Sequence, residues 1–331
     1  MAIPSSGPIK LSDIQTEFGG SNPISLSEYY AGGAYVASGT TGTYGAVPSS
    51  GAINFNVFHG TVASGSASYI TPGTYSWVAP AGVTSVSVVC IGGGGAGTPG
   101  YNYMCGCCVV SGPGNSGDGG GLGYKNNYTV TPGNSYTVVV GHGGLDAYAG
   151  GNVSGSDSYF INTSTVKGGG GTLYGGPGGY TGDGGGNGGS RGNDFYHDTG
   201  GGGAGGYSGD GGRGGSNVSS DVPTAGSGGG GGGGYGSGGG GTGILGQGSD
   251  GAAGTSGSPE GKGGSGGGNG SSGAANTVSG GLYGGGANVY PGVDHSDDCV
   301  PDFYYAGGSG AVRIMWPGNT RSFPSTNAGS P

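Results

Sequence analysis

Hydrophobic and polar residues alternate in the first part of the chain and again near its end, but not in the long stretch between. Strict alternation reads as half-buried strand. It covers residues 66–70, 74–78 and 85–91, separated by Pro72-Gly73 and Pro80-Ala81-Gly82 turns. Val86, Val88 and Cys90 fall on one face of the third strand, where Cys90 reads as a small core residue. Residues 124–131 and 135–141 flank Pro132-Gly133 as a hairpin, 158–161 and 165–167 are weaker strands, and 311–316 is the last. Together they predict one antiparallel sheet or sandwich whose closing strand returns beside the early ones.

Residues 1–62 predict a separate module. Ser12 and Gln15 have capping-box spacing ahead of Phe18, with Gly19-Gly20 as the stop. Ser25 and Glu28 repeat that spacing before Tyr29 and Tyr30, so two short helices are expected. Pro4-Ser5-Ser6-Gly7-Pro8-Ile9 returns as Pro48-Ser49-Ser50-Gly51-Ala52-Ile53, each after an aliphatic residue, Ile3 or Val47. Two similar turn-plus-strand units follow from the echo. A module this small is short of area for a core of its own. Ile9, Ile14, Phe18, Leu26, Tyr29 and Tyr30 are therefore its expected attachment surface.

Composition changes the picture in the middle. Of the 98 glycines, 83 lie between Ile91 and Gly310. Apolar residues make up 31% of the chain and charged ones 8%, which excludes a large conventional core and a mainly helical fold. Collagen fails, because runs such as 228–234 break any triplet frame and prolines total 17. A flexible spacer has no use for Tyr174, Tyr180, Phe195, Tyr196, Tyr207, Tyr235 and Tyr283 set among the glycines. The remaining reading is a bundle of polyglycine II rods, three residues per turn, whose missing Cβ atoms let main chains bond side by side.

The expected fold class is thus mainly β and irregular: a helical N-terminal anchor, an antiparallel β base, and a rod bundle with connecting loops. The β base takes 63–167 with 306–331; the rods take 168–305 together with 91–123. Counting rods outward and back from the sheet puts loops 98–116, 190–199, 244–260 and 288–305 at the far end. Loops 216–225 and 274–279 fall near the sheet. The count would fail if 168–189 held two rods. Three of the far loops carry the aromatics: Tyr101, Tyr103 and Met104; Arg191, Asp194, Phe195, Tyr196 and His197; Tyr290, Asp294, His295, Phe303, Tyr304 and Tyr305. Aromatics on scaffolded loops suit sugar stacking or protein hot spots. The plainer alternative is that they seal the rod ends.

Charge excludes more. Eight Lys and Arg stand singly against 17 Asp and Glu, a net charge of −9, so no basic track exists for nucleic acid. No apolar run is long enough for membrane insertion, and residues 1–20 lack a Sec signal pattern.

Gly73-Thr-Tyr-Ser-Trp-Val-Ala-Pro-Ala-Gly-Val-Thr-Ser-Val-Ser-Val-Val followed by Gly92–Gly95 resembles the opening of glycine-rich-domain proteins of bacteriophage tails. Residues 128–141 resemble their second hairpin and 310–316 their closing strand. The tail 321–327 and the N-terminal Pro-Ser-Ser-Gly motif are similar to segments of cyanophage virion proteins. The resemblance covers 1–167 and 306–331 by pattern, and the middle by composition only. It implies an adhesin like those capping the long tail fibres of T-even-like phages, with distal loops that select a bacterial surface receptor. Implied partners are tail fibre or baseplate proteins and a host glycan or outer-membrane protein, with one chain or three at the tip. Implied location is the virion tail, outside the cell when functioning. The helical N-terminal module departs from that family.

Other chemistry is thin. Five cysteines forbid complete pairing within the chain. Cys105, Cys107, Cys108 and Cys299 share the far end by the rod count, where one disulfide is a candidate. Cys-Gly-Cys-Cys lacks zinc spacing, and Asp294, Asp297, Asp298 and Asp302 lack that of a calcium loop, so no metal and no cofactor is expected. Asp194 with Asp198, or His295 beside Asp294, are the only acid–base pairs, and neither has a groove. A non-enzymatic adhesin is the leading expectation. A non-adhesive tail protein is second and a polysaccharide-degrading spike third.

Overall fold

The computed structural model describes residues 3–36, 39–80, 82–97, 101–105, 108–112, 115–145, 153–193, 199–216, 220–234, 236–255, 279–287, 306–319 and 321–324. The fold is mainly β, with one short α-helix near the N-terminus.

Helix α1 spans Leu11–Phe18. It begins one residue before the predicted cap: Asp13, not Ser12, closes the first turn by accepting the Lys10 amide at 2.7 Å. Gly19 ends it at φ 87°, as the sequence requires. The second predicted helix is a single 3-10 turn, Leu26–Tyr29, and the Ser25–Glu28 box forms, Glu28 Oε1 accepting the Ser25 amide at 2.9 Å. Strands β1 (Thr41–Gly42) and β2 (Gly45–Ala46) make a minimal hairpin. The Pro-Ser-Ser-Gly echo is real in three dimensions. Gly7 and Gly51 adopt φ 93° and 84°, Ile3 and Val47 are both buried, and each unit leads into a helix or 3-10 turn instead of a strand.

The module also has a core, contrary to the expectation from its size. Ile3, Ile14, Phe18, Tyr29, Val36, Val47 and Phe58 are buried together, with Phe18 and Tyr29 edge-on to Phe58 at 6.2 and 6.5 Å. Aromatics bury so much area per residue that few are needed.

The β base is a sandwich of two five-stranded antiparallel sheets. Its strands are β3 (Gly65–Tyr69), β4 (Gly73–Val78), β5 (Ser85–Ile91), β8 (Leu122–Thr129), β9 (Ser135–Val140), β10 (Ser158–Phe160), β11 (Val166–Gly168), β12 (Tyr180–Thr181), β13 (Gly184–Gly186) and β14 (Ala311–Trp316). Between β5 and β8 in sequence, β6 (Tyr101–Cys105) and β7 (Cys108–Gly112) form a hairpin outside both sheets. One sheet has the order β13-β8-β5-β14-β3 and the other β12-β11-β10-β9-β4. The closing strand does return beside the early ones. Val86, Val88, Cys90, Val312 and Ile314 meet Trp77, Val138, Val140, Phe160 and Val166 between the sheets. Burial pushes the Cys90 thiol well above its ordinary range, as for an inert core residue.

From the β5 end of this sandwich the glycine segments run out, and their bonding repeats every three residues. Along one segment Gly200 and Gly203 donate to Gly215 and Gly212, Gly201 and Ala204 to Ser237 and Gly240, and Gly202 and Gly205 to Gly117 and Gly120. A chain with three residues per turn presents amides in three directions, so each rod serves three neighbours. A side chain has no place there. A Cβ on Gly202 would fall on the Gly189 carbonyl, and one on Gly143 on that of Gly307. Carboxylates substitute for carbonyls at several positions: Asp157, Asp210 and Asp250 accept the amides of Gly170, Asn187 and Gly228 at 2.6–2.9 Å.

The rods are shorter and more numerous than the glycine runs suggest. The run 200–215 turns back at Tyr207–Gly209, 226–243 turns at Gly228 and again at Gly236, and 168–189 holds three rods, not one. Residues 141–145 and 153–157, expected to stay in the sheet, also join the bundle. Turns at Tyr207, Ile244 and Tyr283 dock on the outer face of β5 and β14, against Val89, Ile91, Met315 and Phe323. Hence β5 is buried on both faces.

Candidate functional site

The end of the bundle remote from the sandwich is where the connecting segments gather. Ser116 donates its hydroxyl to the Thr199 carbonyl, Gly117 donates to Ala287, Ala287 to Gly95, and Ala96 to Val153. The stems of loops 98–116, 190–199 and 288–305 therefore meet at one end. Thr199 also bridges Ser216, and Gly280 donates to Ala306. Thus the 216–225 loop and Ser279 begin at the far end, not near the sheet. Ile244, by contrast, is near the sheet and not at the tip. The rod count erred because most glycine runs hold more than one rod. Three rods in 168–189 kept the parity of the first loops.

Two buried aspartates tie the stems. Asp118, its side chain 2% exposed, accepts the Arg191 amide at 2.8 Å and Arg191 Nη1 at 3.3 Å. Burial pushes its carboxyl above the ordinary range, and the Arg191 amide and guanidinium oppose that shift. Asp221 pairs with the Arg213 guanidinium and accepts the Asn193 amide at 3.0 Å. Gly192 donates to Gly200 at 3.0 Å, closing the neck of the loop between them. Above Asp118, the Arg191 guanidinium lies 5.5 Å from the ring centroid of Tyr174, which is 68% exposed. The arrangement offers an aromatic face held in place by a cation, itself held by a buried acid.

Of the expected tip residues, Arg191 stands in this cluster. Tyr101, Tyr103 and Met104 lie on β6, so residues 101–105 and 108–112 of this loop pair as antiparallel strands, with Cys105 and Cys108 as register partners. Asp194, Phe195, Tyr196, His197, Tyr290, Asp294, His295, Phe303, Tyr304 and Tyr305 lie outside the described residues, as do Cys107 and Cys299. Tyr174 and Asp118 were not anticipated. An aromatic inside a glycine run was the available signal for the first, and nothing marked the second.

A family model described as a glycine-rich domain matches residues 70–317. The chain belongs to the glycine-rich domain family. The match takes in the sandwich and the bundle and leaves the N-terminal module outside. No curated protein sequence matches the chain. Within the glycine-rich domain, no three His, Cys, Asp or Glu side chains converge among the described residues.

The expected attachment residues sit at the other extreme. Gly65 pairs with Trp316, while Ala311 pairs with Ile91. The N-terminal module joins at the Gly65–Trp316 end and the rods leave from the Ile91 end. Ile14, Phe18 and Tyr29 are interior to the module, Ile9 and Leu26 pack against that interior, and the Tyr30 hydroxyl donates to Gly51. These side chains hold the module together.

Proposed function

We propose that the protein is a bacteriophage tail adhesin, without enzymatic activity, that binds a bacterial surface glycan or outer-membrane protein. It acts on the virion tail, outside the cell. The observation that carries this reading is the gathering of loop stems at one end of a laterally bonded bundle, opposite the N-terminal module. A scaffold of that kind tolerates loop variation because its own stability lies in main-chain bonds. Tyr174 on Arg191 is a stacking platform at that end, and the loops around it bring the remaining aromatics. The module of residues 1–62 attaches to a fibre or baseplate protein through its outer surface, one chain or three per tip.

Exchanging loops 98–116, 190–199 and 288–305 between related chains tests the reading. Binding of the purified protein to host cells is expected to follow the loops. Host-cell binding that follows the N-terminal module instead would place recognition elsewhere and favour a non-adhesive tail protein. Shortening of capsular polysaccharide on incubation would favour a spike.

A further inference from the structure

We infer a second binding site, for a sugar acid, in the cleft between the N-terminal module and the β base. This does not rest on the adhesin reading. The cleft encloses 420 Å³, within the range of small-molecule sites. Thr40 and Thr41 come from the module, Val62 and Ser64 from its exit, Thr84 from just before β5, and Asn319 and Arg321 from the segment after β14.

Its polar groups are unspent. The side chains of Ser64, Thr84 and Asn319 make no hydrogen bond among the described residues. Arg321 gives Nη1 to the carbonyls of Gly65 at 2.6 Å and Trp316 at 3.3 Å, and has no carboxylate partner among the described residues. Lys125, Lys167, Arg191 and Arg213, four of the seven described Lys and Arg, each hold an aspartate, whereas Arg321 does not. The neighbouring Arg313 is buried, also lacks a carboxylate, and adds repulsion. An anion in the cleft would meet the Arg321 charge.

The wall is rigid. Gly318 donates to the Ser85 carbonyl at 2.9 Å, the Asn319 amide to Ser85 Oγ at 3.2 Å, and Arg321 N to the Pro317 carbonyl at 3.2 Å. Four hydroxyls (Thr40, Thr41, Ser64 and Thr84), one amide and one guanidinium around a space with no aromatic ring match a hydroxylated carboxylate. The guanidinium takes the carboxylate and the others take ring hydroxyls. A neutral sugar would leave the cation unpaired, and a simple acid would leave the hydroxyls unused.

The test uses the full chain with glucuronate, glucose and acetate as probes, read by calorimetry and by melting temperature. Glucuronate is expected to bind about tenfold or more tighter than glucose or acetate and to raise the melting temperature. Arg321→Gln is expected to lose at least about tenfold in glucuronate affinity. Because Arg321 also holds two carbonyls, Asn319→Asp is the second variant. It places an acid on an exposed position, and is expected to abolish glucuronate binding without lowering the melting temperature of the unliganded protein. Equal binding of glucose and glucuronate, unchanged affinity in both variants, or no glucuronate binding would overturn the assignment.

Discussion

The Tyr207 ring stacks on Phe323, with centroids 5.7 Å apart and planes at 21°. One residue is a turn of the glycine bundle and the other belongs to the segment after the closing strand. The Tyr207 hydroxyl donates to the Gly243 carbonyl at 2.9 Å and accepts the Gly246 amide at 3.3 Å. A single side chain thus joins two rod turns to the outer face of the β base. Phe323→Ala is expected to cost about 3–5 kcal/mol, and Tyr207→Phe about 1–3 kcal/mol through the lost hydroxyl bonds. Chemical denaturation of each variant reads both.

Gly178 and Gly179 are neighbours in one rod with different surroundings. A Cβ on Gly178 would overlap the Gly169 carbonyl, whereas one on Gly179 would meet only the Asn187 side chain at 3.7 Å. Gly178→Ala is expected to destabilise by about 1–3 kcal/mol and Gly179→Ala to be nearly neutral or slightly stabilising. Thermal unfolding of the pair tests whether close main-chain packing, rather than glycine flexibility, explains the composition.

The strands were legible because alternation of Val, Ile, Tyr and Ser is a signal of period two, and Val86, Val88 and Cys90 do face the inter-sheet core. The rods were legible as a class and not in number. A run of identical glycines looks the same whether the chain continues or turns, so the turn at Gly228 carries no mark of its own. The turns that did carry one are those that dock. Tyr207, Ile244 and Tyr283 are bulky residues, singly or in pairs, within glycine-rich segments, and each lies against the sheet. The tip cluster was half legible: Arg191 was singled out, but its partner Asp118 lies 73 residues away and no local pattern joins them.

Arg313 sits in the same apolar layer as Tyr207 and Met315, 3% exposed, with Nε and Nη1 lacking any partner. Its Nη2 reaches Ser66 Oγ at 3.4 Å. Burial lowers the guanidinium's affinity for a proton, and a charge held there without an opposite charge beside it among the described residues is costly. Arg313→Met is expected to stabilise the fold by about 1–4 kcal/mol, measured as a higher denaturation midpoint with unchanged slope.

Two aspartates give opposite pH signatures. Burial pushes the Asp183 carboxyl up, but bonds from Lys125 and the Asn126 amide bring it below its ordinary 3.8. The folded state then binds its proton less readily than the unfolded chain. Its contribution is complete above pH 3.8 and lost as pH falls through the lower folded value. The Asp118 carboxyl is raised, chiefly by burial, so the folded state binds that proton more readily. Wild-type stability relative to Asp118→Asn should therefore rise as pH falls through that raised value, while stability relative to Asp183→Asn should fall below pH 3.8. Melting curves of the three proteins against pH give both slopes.

Amide hydrogen exchange resolved along residues 200–206 and 229–234 tests the lateral bonding of the rods most directly. All seven amides from Gly200 to Gly206 donate to main-chain carbonyls, six of them on neighbouring rods and Gly206 to Gly209 within its own turn. Exchange there should be slowed to the level of β5 and β14, and a Gly178→Ala change should weaken protection across the bundle. Exchange at the rate of an unstructured glycine chain, in an otherwise folded β base, would contradict the account.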